Sequence, residues 1–338
     1  MTEVKKDRIL GLEYDDEGFR MSTPIEIAYY KSKKLATKSI ADLGCGIGIQ
    51  SIYFSEYFDT VKSVERDPSR LKMARKNANA LGKRNIEFVE GDVLDKEIVR
   101  EVGNPDIISS DPSRIKRGNY WTFDDLSPNP LEIMRKYKAK KYSFDLPVHF
   151  RKEIIPKDWE IEYVSVNGEP KRIIAYVGEG MNGESRAVSL PSESVVKRNE
   201  AILRDYERTE VPMSIIYQVD QVLSIADLVP EYLDDQRELT VLLMDRKRTF
   251  MTSDKIVSND FIINGYEIID EVPKIEDLNG SLKKHNCGKI FLRFEIPSDQ
   301  YYILKSKIEE GLNGNESLYV FLLNNKYYIG RSFSRSQP

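Results

Sequence analysis

Residues 39–48 read SIADLGCGIG, and this stretch decides the fold. A short apolar run ends at the carboxylate of Asp42, and three glycines follow at alternate positions, Gly44, Gly46 and Gly48. Glycine lets the backbone turn tightly, and it lets a ligand lie against the backbone without a Cβ clash. The stretch therefore predicts a strand, a glycine-rich loop and the start of a helix.

Short apolar runs alternate with helix-like segments over the first half of the chain. Seven runs are candidate strands: SIADLGCG, VKSVERD, IEFVEGD, DIISSDP, KYSFDLP, IEYVSV and RIIAYVG. A helix is predicted over PSRLKMARKNANALG, with Leu71, Ala74, Ala78 and Leu81 on one side. Strands that alternate with helices form a parallel sheet with covered faces. Because Asn167-Gly168 favours a hairpin, we expect an α/β, doubly wound, seven-stranded Rossmann-like sheet with an antiparallel final hairpin.

The rest of the chain predicts smaller α+β domains. The turn-rich stretch 181–194, MNGESRAVSLPSES, indicates a boundary, so we place the first domain at residues 1–190. In it, the capping-box pattern Thr23-Pro24-Ile25-Glu26 predicts the start of a helix before the first strand. Residues 191–270 mix helical segments (195–206 and 218–226) with strands. Residues 271–338 follow a β-α-β-β order with a hairpin around Asn324-Asn325.

Composition excludes several classes of protein. No apolar run is long enough for a membrane span, and the N-terminus has no apolar signal core. Two cysteines, Cys45 and Cys287, and two histidines, His149 and His285, favour neither a disulfide framework nor a zinc site. We therefore expect a cytoplasmic protein without a metal or a membrane partner. The net charge of −4 does not by itself indicate nucleic acid, and the oligomeric state stays open.

Three acidic residues end the first three predicted strands. Asp42 suits an ammonium group, Glu65 can accept both hydroxyls of a ribose, and Asp92 can accept from an adenine amino group while the amide of Val93 donates to the ring. No Gly-Lys-Ser/Thr sequence is present, which excludes a P-loop. Ligands of such sheets bind outside the carboxyl ends of the strands. The pattern therefore predicts a ligand with a cation, a ribose and an adenine but no phosphates, which describes S-adenosylmethionine better than NAD.

The predicted cofactor-binding residues are Thr23, Asp42, Gly44, Cys45, Gly46, Gly48, Glu65, Arg66, Asp92, Val93 and Asp111. The alternative is that the glycine loop is only a turn and that Cys45 is only a small residue in it.

These residues resemble the class I S-adenosylmethionine-dependent methyltransferases over residues 10–180. LEYDDEGFRMSTPIEIA before ADLGCGIGIQS is similar to the trimethylguanosine synthases, which methylate the exocyclic N2 of guanosine in RNA. DPSRIKRGNYWTFDDLSPNPLEIM, KYSFDLP and WEIEYVSVNGEPKRIIAYVG resemble the methyltransferase family with a THUMP-like C-terminal domain, in which the fourth strand ends Asp-Pro-Ala-Arg. This resemblance implies that residues 191–270 are ferredoxin-like and that residues 271–338 are a THUMP-like module.

Residues 109–121, SSDPSRIKRGNYW, are predicted to hold the reaction site. Amine methyltransferases often end a strand with Asp-Pro-Pro-aromatic, but here Ser113 and Arg114 follow Asp111-Pro112. We predict Asp111, Pro112 and Arg114 as catalytic, with Asp111 and the Pro112 carbonyl accepting hydrogen bonds from the target amine. The predicted substrate-binding residues are Ser113, Arg114, Lys116, Arg117, Tyr120 and Trp121.

Each of these predictions has an alternative. Asp111 could be a helix N-cap or an Asx-turn residue, and Tyr120 and Trp121 could pack in the core. The basic residues of 114–117 and of 135–141 could simply face solvent. We expect an RNA methyltransferase acting on tRNA, rRNA or another structured RNA, with guanosine N2 favoured. The other readings are a small-molecule or protein methyltransferase, and an RNA-binding protein without catalysis.

Overall fold

The computed structural model describes residues 12–115 and 120–333, and the chain forms two compact units. The first unit ends at Lys197 and the second begins at Arg198, except that Asn167–Glu169 cluster with the second. The predicted boundary at 190/191 therefore lies seven residues too early.

Nine strands of the first unit form one sheet within the described residues, and two short strands pair beside it. In chain order the strands are β1 (Ser39–Leu43), β2 (Thr60–Glu65), β3 (Ile86–Glu90), β4 (Ile107–Ser110), β5 (Ser113–Arg114), β6 (Leu126–Ser127), β7 (Lys141–Leu146), β8 (Glu160–Val166), β9 (Glu169–Gly178), β10 (Ser185–Leu190) and β11 (Ser194–Lys197). The helices are α1 (Asp16–Met21), α2 (Ile25–Leu35), α3 (Ile49–Phe54), α4 (Pro68–Ala80), α5 (Lys96–Val102) and α6 (Pro130–Lys136).

The order of the large sheet is β11-β10-β8-β9-β7-β4-β1-β2-β3. β1 pairs in parallel with β2 and β4, β4 pairs in parallel with β7, and β9 runs antiparallel to β7. Asn167 and Gly168, with φ of 52° and 77°, join β8 to β9. The doubly wound α/β sheet and its antiparallel hairpin are thus confirmed, but the sheet has nine strands instead of the predicted seven, and two of them follow the hairpin.

The structure corrects the sequence prediction at the far edge of this sheet. Stretch 181–194, predicted as a boundary loop, contains β10, which pairs in parallel with β8, and it ends where β11 begins and returns antiparallel to β10. Because Ser194–Lys197 is a strand and no helix follows it before residue 206, the helix predicted over 195–206 is wrong. The polar residues of β10 make this strand hard to recognise in the sequence. Arg186 among them is neutralised by Glu160 and Glu184, a partnership that local sequence does not reveal.

Helix starts follow the expected chemistry at α4 but not at α2. Asp67 caps α4 by accepting from the backbone amides of Ser69 and Arg70, and Pro68 occupies the first turn. Leu71, Ala74 and Ala78 of α4 are buried as predicted, whereas Leu81 follows the last turn and is 50% exposed. α2 begins after Pro24 without a side-chain cap, so the predicted capping box at Thr23 does not form.

A buried carboxylate fastens α2 to the sheet. Glu162 of β8 has no exposed surface, and it accepts hydrogen bonds from the hydroxyls of Tyr30 (3.0 Å) and Tyr176 (3.1 Å). Lys34 and Arg186 neutralise it, with Nζ and Nη1 at 2.5 and 3.3 Å from Oε1. A buried charge needs this many partners to offset its lost hydration. α2 is therefore held in a fixed place against the sheet at β8.

The second unit contains one seven-stranded sheet within its described residues, in the order β13-β14-β12-β15-β18-β17-β16. Its strands are β12 (Ile215–Val219), β13 (Thr240–Met244), β14 (Thr249–Ser253), β15 (Ile262–Val272), β16 (Cys287–Leu292), β17 (Glu316–Leu323) and β18 (Lys326–Phe333). Its helices are α7 (Val222–Ile225), α8 (Val229–Asp235), α9 (Leu278–Lys284) and α10 (Ser298–Ile308).

The sheet joins residues 191–270 and 271–338, which the sequence analysis separates. β15 pairs with β12 on one side and with β18 on the other, so hydrogen bonds run continuously through the unit. The helix predicted over 218–226 shrinks to α7, because Gln218 lies in β12. The hairpin at Asn324-Asn325 is confirmed, with φ of 45° and 58°. None of the helices described combines the length and the apolar character that a membrane span requires.

Candidate functional site

A cleft of about 220 Å³ opens where β1, β2, β3 and β4 end. The predicted residues that line it are Thr23, Asp42, Gly44, Cys45, Gly46, Glu65, Arg66, Asp92, Val93, Asp111, Pro112 and Ser113. Four others, Gly48, Arg114, Tyr120 and Trp121, are not part of its lining. Lys116 and Arg117 lie outside the described residues.

Two glycines of the loop have different roles: Gly44 borders the cleft, and Gly48 packs against α4. The amides of Gly44 and Cys45 both donate to the Val64 carbonyl at 2.9 Å, which fixes the loop to β2. Gly44 has φ of 86°, and a Cβ there would meet no described atom within 4 Å, so its backbone borders open space. Gly48 also has φ of 86°, but a Cβ there would lie 3.0 Å from the Cβ of Ala74. Gly44 therefore leaves room for a ligand, whereas Gly48 lets α4 pack closely.

The three strand-end acids have different surroundings. Asp42 is 4% exposed and accepts from the hydroxyl of Ser51 at 2.6 Å. Burial raises its pKa to about 6 despite that hydrogen bond. Glu65 accepts from the backbone amides of Gly46 (2.8 Å) and Asp67 (3.0 Å), which fixes both of its oxygens.

The third acid lies in the open part of the cleft. Asp92 is exposed, and its Oδ1 accepts from the backbone amide of Leu94 at 2.8 Å in an Asx turn. The neighbouring Val93 carbonyl accepts from the hydroxyl of Tyr137 at 2.7 Å. The turn is therefore fixed on both sides, and no residue that the structure describes donates to the second carboxylate oxygen of Asp92, which leaves this oxygen for a ligand.

Three buried polar atoms of the lining residues lack hydrogen-bond partners in the described part of the chain: the acceptor Oε1 of Gln50, the hydroxyl Oγ of Ser109 and the donor Nε of Arg70. A buried acceptor without a donor costs free energy unless a ligand or water supplies one. The lining thus combines unused acceptors, carboxylates and a glycine loop with open space above it. These acceptors fit a ligand rich in N–H and O–H groups that carries a positive charge, and S-adenosylmethionine is such a ligand.

A network of four charged side chains extends from the cleft into the sheet, and the sequence analysis missed three of them. Arg172 of β9 donates from Nη1 to Oδ2 of Asp111 (2.9 Å) and to Oδ2 of Asp145 (2.7 Å). The other oxygen of Asp145 accepts from Lys31 of α2 at 3.0 Å. The available signals were an acid near the end of the apolar strand KYSFDLP and a lysine among the buried residues of α2. Neither signal indicated a pairing.

Asp111 lies at the upper end of this network. Its side chain is 39% exposed, whereas that of Asp145 is 2% exposed. Burial at the base of the cleft raises the pKa of Asp111, and Arg172 acts in the opposite direction. No helix begins at Asp111, because β5 follows, so the N-cap alternative does not apply. Pro112 beside it is buried.

The aromatic and basic candidates lie apart from the cleft lining. Trp121 is 9% exposed, and its amide donates to the His149 carbonyl, so it packs in the core as the alternative supposed. Tyr120 is 61% exposed, and the exposed guanidinium of Arg114 lies 5.4 Å from the centre of the Trp121 ring. Within the basic stretch 135–141, Lys136 donates to the Leu94 carbonyl and Lys140 pairs with Asp106.

The described residues include no group of three or more His, Cys, Asp or Glu side chains arranged to hold a metal ion. Burial raises the pKa of the Cys45 thiol well above its usual range, so this cysteine is protonated at neutral pH.

Residues 37–150 match the model of the RNA cap guanine-N2 methyltransferase family. A crystal structure from Porphyromonas gingivalis W83, of a protein named as a methyltransferase, has a TM-score of 0.72 at 17% identity and covers 96% of this chain and 83% of that one. Residues 37–150 belong to a methyltransferase domain. The expected fold is confirmed by this likeness.

Two curated relatives match part of the methyltransferase domain. An uncharacterised S-adenosylmethionine-dependent methyltransferase of Mycobacterium tuberculosis is 25% identical over 128 residues, 38% of this chain and 34% of that protein. An uncharacterised RNA methyltransferase of Nitratidesulfovibrio vulgaris is 31% identical over 98 residues, 26% of this chain and 21% of that protein. The chain thus spans about a third or less of these relatives. The expected cofactor, S-adenosylmethionine, is confirmed for the methyltransferase domain, while the THUMP-like module stays a prediction.

Replacing Gly44 with alanine tests the open space above the loop. Gly44→Ala places a methyl group at φ of 86°, which costs about 1–2 kcal/mol of stability. Gly82→Ala is the matched control, because Gly82 has φ of 67° and open space but does not line the cleft. We expect similar losses of melting temperature, with at least about tenfold weaker S-adenosylmethionine binding in Gly44→Ala alone. Equal affinities of the two variants in calorimetry would contradict the assignment of the loop.

The pKa of Asp42 gives a test in pH. In the cofactor-free protein this carboxyl gains a proton as pH falls through about 6, and a neutral carboxyl attracts an ammonium group less. We therefore expect S-adenosylmethionine affinity to be flat between about pH 6.5 and 7.5 and to fall up to about tenfold per unit below the pKa. Isothermal titration calorimetry measures this.

Asp42→Asn is the control. Loss of the charge at this position weakens the attraction for the ammonium group, but it should stabilise the cofactor-free protein. Between the ordinary value of 3.8 and about 6, the folded protein binds a proton that the unfolded chain lacks. Ionised Asp42 therefore costs about 3 kcal/mol of stability at neutral pH. Asp42→Asn should raise the melting temperature of the cofactor-free protein at pH 7 and remove the acid limb of the binding curve. An acid limb of the same size in this variant would assign the titration to another group.

Proposed function

We propose that this protein is an S-adenosylmethionine-dependent methyltransferase acting on an exocyclic amine of a base in RNA, with guanosine N2 favoured. The observation that carries the proposal is the position of Asp111-Pro112 at the end of β4, in the same cleft as Asp42 and Glu65. A group that positions an amine and the groups that hold a methyl donor must share one cavity, because methyl transfer joins the two reactants directly.

The cofactor-binding roles follow from the donor and acceptor sets of the cleft. Asp42 and the unpaired Oε1 of Gln50 suit the ammonium group of the cofactor. Glu65 suits the two ribose hydroxyls, since each of its oxygens already holds one backbone amide and keeps a second lone pair. Asp92 and the amide of Val93 suit the adenine edge. Each role is a charge-assisted or neutral hydrogen bond that needs no phosphate.

S-adenosylmethionine, when bound, supplies a methyl group on a positively charged sulfur that leaves as a neutral thioether. The protein mainly positions the reactants, which contributes about 7–11 kcal/mol in such reactions. Asp111 accepts a hydrogen bond from the target amine and turns its lone pair toward the methyl carbon. The N–C bond forms as the C–S bond breaks, and the nitrogen gains a positive charge that Asp111 stabilises until a proton leaves to water. The Pro112 carbonyl accepts from the second N–H.

Three observations support RNA as the substrate class. The family model that matches residues 37–150 is described by RNA cap guanine-N2 methylation, and one relative is named as an RNA methyltransferase. Arg114 and Tyr120 are exposed and follow β4 in the chain. The cation of Arg114 suits a phosphate, and the ring of Tyr120 suits a base. A base in a duplex must be flipped out to reach Asp111.

Asp111→Ala tests the assignment of the reaction site. We expect methyl transfer to RNA to fall by at least about a hundredfold, because the amine loses its orientation, while the dissociation constant of S-adenosylmethionine changes less than about threefold. Tritium-methyl transfer to total RNA, followed by mass spectrometry of the nucleosides, measures both the rate and the methylated atom.

The exposed Asp158, outside the cleft lining, provides the control variant Asp158→Ala, which should keep the full rate. Recovery of N2-methylguanosine with the wild-type protein supports the proposal in full. Transfer only to small molecules or proteins, or tight cofactor binding without transfer to any acceptor, would contradict RNA methylation. An unchanged rate in Asp111→Ala would remove this residue from the mechanism.

A further inference from the structure

The four-charge network Lys31–Asp145–Arg172–Asp111 supplies Lys31, Asp145 and Asp111 to the cleft lining, and it has a composition that the binding of cofactor does not require. It contains two cations and two carboxylates, and three of its side chains are largely buried: 1% exposed for Lys31, 2% for Asp145 and 13% for Arg172. A buried ion pair stabilises a fold little compared with an apolar pair of the same size. Stability alone therefore does not explain why these four charged side chains are present.

The connectivity of the network points to that role. A single nitrogen, Nη1 of Arg172, contacts Oδ2 of both Asp111 (2.9 Å) and Asp145 (2.7 Å). Asp145 is in turn held by Lys31, so Arg172 has a fixed anchor inside the sheet. No residue in the described part of the chain donates to Oδ1 of Asp111. One oxygen of Asp111 is thus fixed by Arg172, and the other is left for a ligand.

We propose, on the basis of the proposed function, that Arg172 is a positioning residue that holds Asp111 ionised and fixes the direction of its Oδ1 toward the target amine. The free oxygen of a carboxylate accepts a hydrogen bond from an amine N–H, whereas a carboxylic acid could present its own O–H instead. An adjacent guanidinium favours the charged form. Asp145 and Lys31 hold Arg172 in place and do not touch the amine.

The surroundings of Asp111 set the direction of the effect. Arg172 and Lys31 favour its charged form, and Asp145 and Asp42 in the same region oppose it. Removing the charge of Arg172 takes away the cation between Asp111 and Asp145, and Lys31 then remains as the partner of Asp145 alone. The pKa of Asp111 then rises, and the acid limb of the rate profile moves to higher pH.

The test compares Arg172→Met with Arg186→Met. Arg186 is the control, because it is also a largely buried arginine of the same sheet that contacts carboxylates, here Glu160, Glu162 and Glu184, but it does not contact Asp111. The first readout is the pKa of Asp111, followed by NMR of protein with ¹³C-labelled aspartate carboxyls and assigned with Asp111→Asn. This readout needs neither RNA nor catalysis.

We expect Arg172→Met to raise the Asp111 pKa by about one unit or more and to lower methyl transfer at neutral pH by about 10- to 100-fold. KM for S-adenosylmethionine should change less than about threefold. Arg172→Lys keeps the charge without the planar guanidinium, so it should restore the pKa of Asp111 more fully than the rate. Arg186→Met should lose melting temperature to a similar degree while keeping the wild-type pKa and pH profile.

The outcomes separate the two proposals. If Arg172→Met and Arg186→Met behave alike, with lower stability but an unchanged Asp111 pKa and rate profile, Arg172 is only structural and the inference is overturned. If the wild-type protein transfers no methyl group to RNA, the proposed function fails, while the NMR titration still decides whether Arg172 holds Asp111 ionised.

Discussion

The parallel pairing of β4, β1, β2 and β3 is the constraint on which the site depends. Parallel strands point their carboxyl ends to the same edge, so residues far apart in sequence meet there. β1 pairs with β4, and Asp42 lies opposite Ser109 in that pair. Glu65 ends β2, which is the neighbour of β1 on its other side. Without this register the acids of three strand ends would not line a common cleft. The backbone of the glycine loop next to these acids borders open space, so a ligand can contact it.

This arrangement concentrates negative charge at a cost in stability. Asp42 is buried with a raised pKa. The lining contains five carboxylates, those of Asp42, Glu65, Asp92, Asp111 and Asp145, and three cations, Lys31, Arg66 and Arg70, while Arg172 contacts Asp111 as a fourth. Five carboxylates facing four cations leave one unit of negative charge. A cationic ligand offsets that excess, whereas a pyrophosphate would add to the repulsion. The cleft is thus selective for charge as well as for shape.

Sequence reasoning predicted the local features well, since they depend on neighbouring residues. The seven strands, the glycine loop, the strand-end acids and both Asn-containing hairpins follow from short patterns. It missed β10 and β11, because Arg186 and the serines look like loop residues until Glu160, Glu162 and Glu184 surround the arginine. It missed Lys31, Asp145 and Arg172 for the same reason: the pairings Arg172–Asp145, Arg172–Asp111 and Lys31–Asp145 span 27, 61 and 114 residues. Trp121 was predicted to bind substrate, but its ring is buried in the core.

The most direct test of the central claim is a crystal structure of the protein with S-adenosylhomocysteine. The account predicts the ribose hydroxyls within hydrogen-bond distance of Glu65, the amino group beside Asp42, and the sulfur facing Asp111. A ligand bound outside this cleft, or bound with its ribose away from Glu65, would contradict the account.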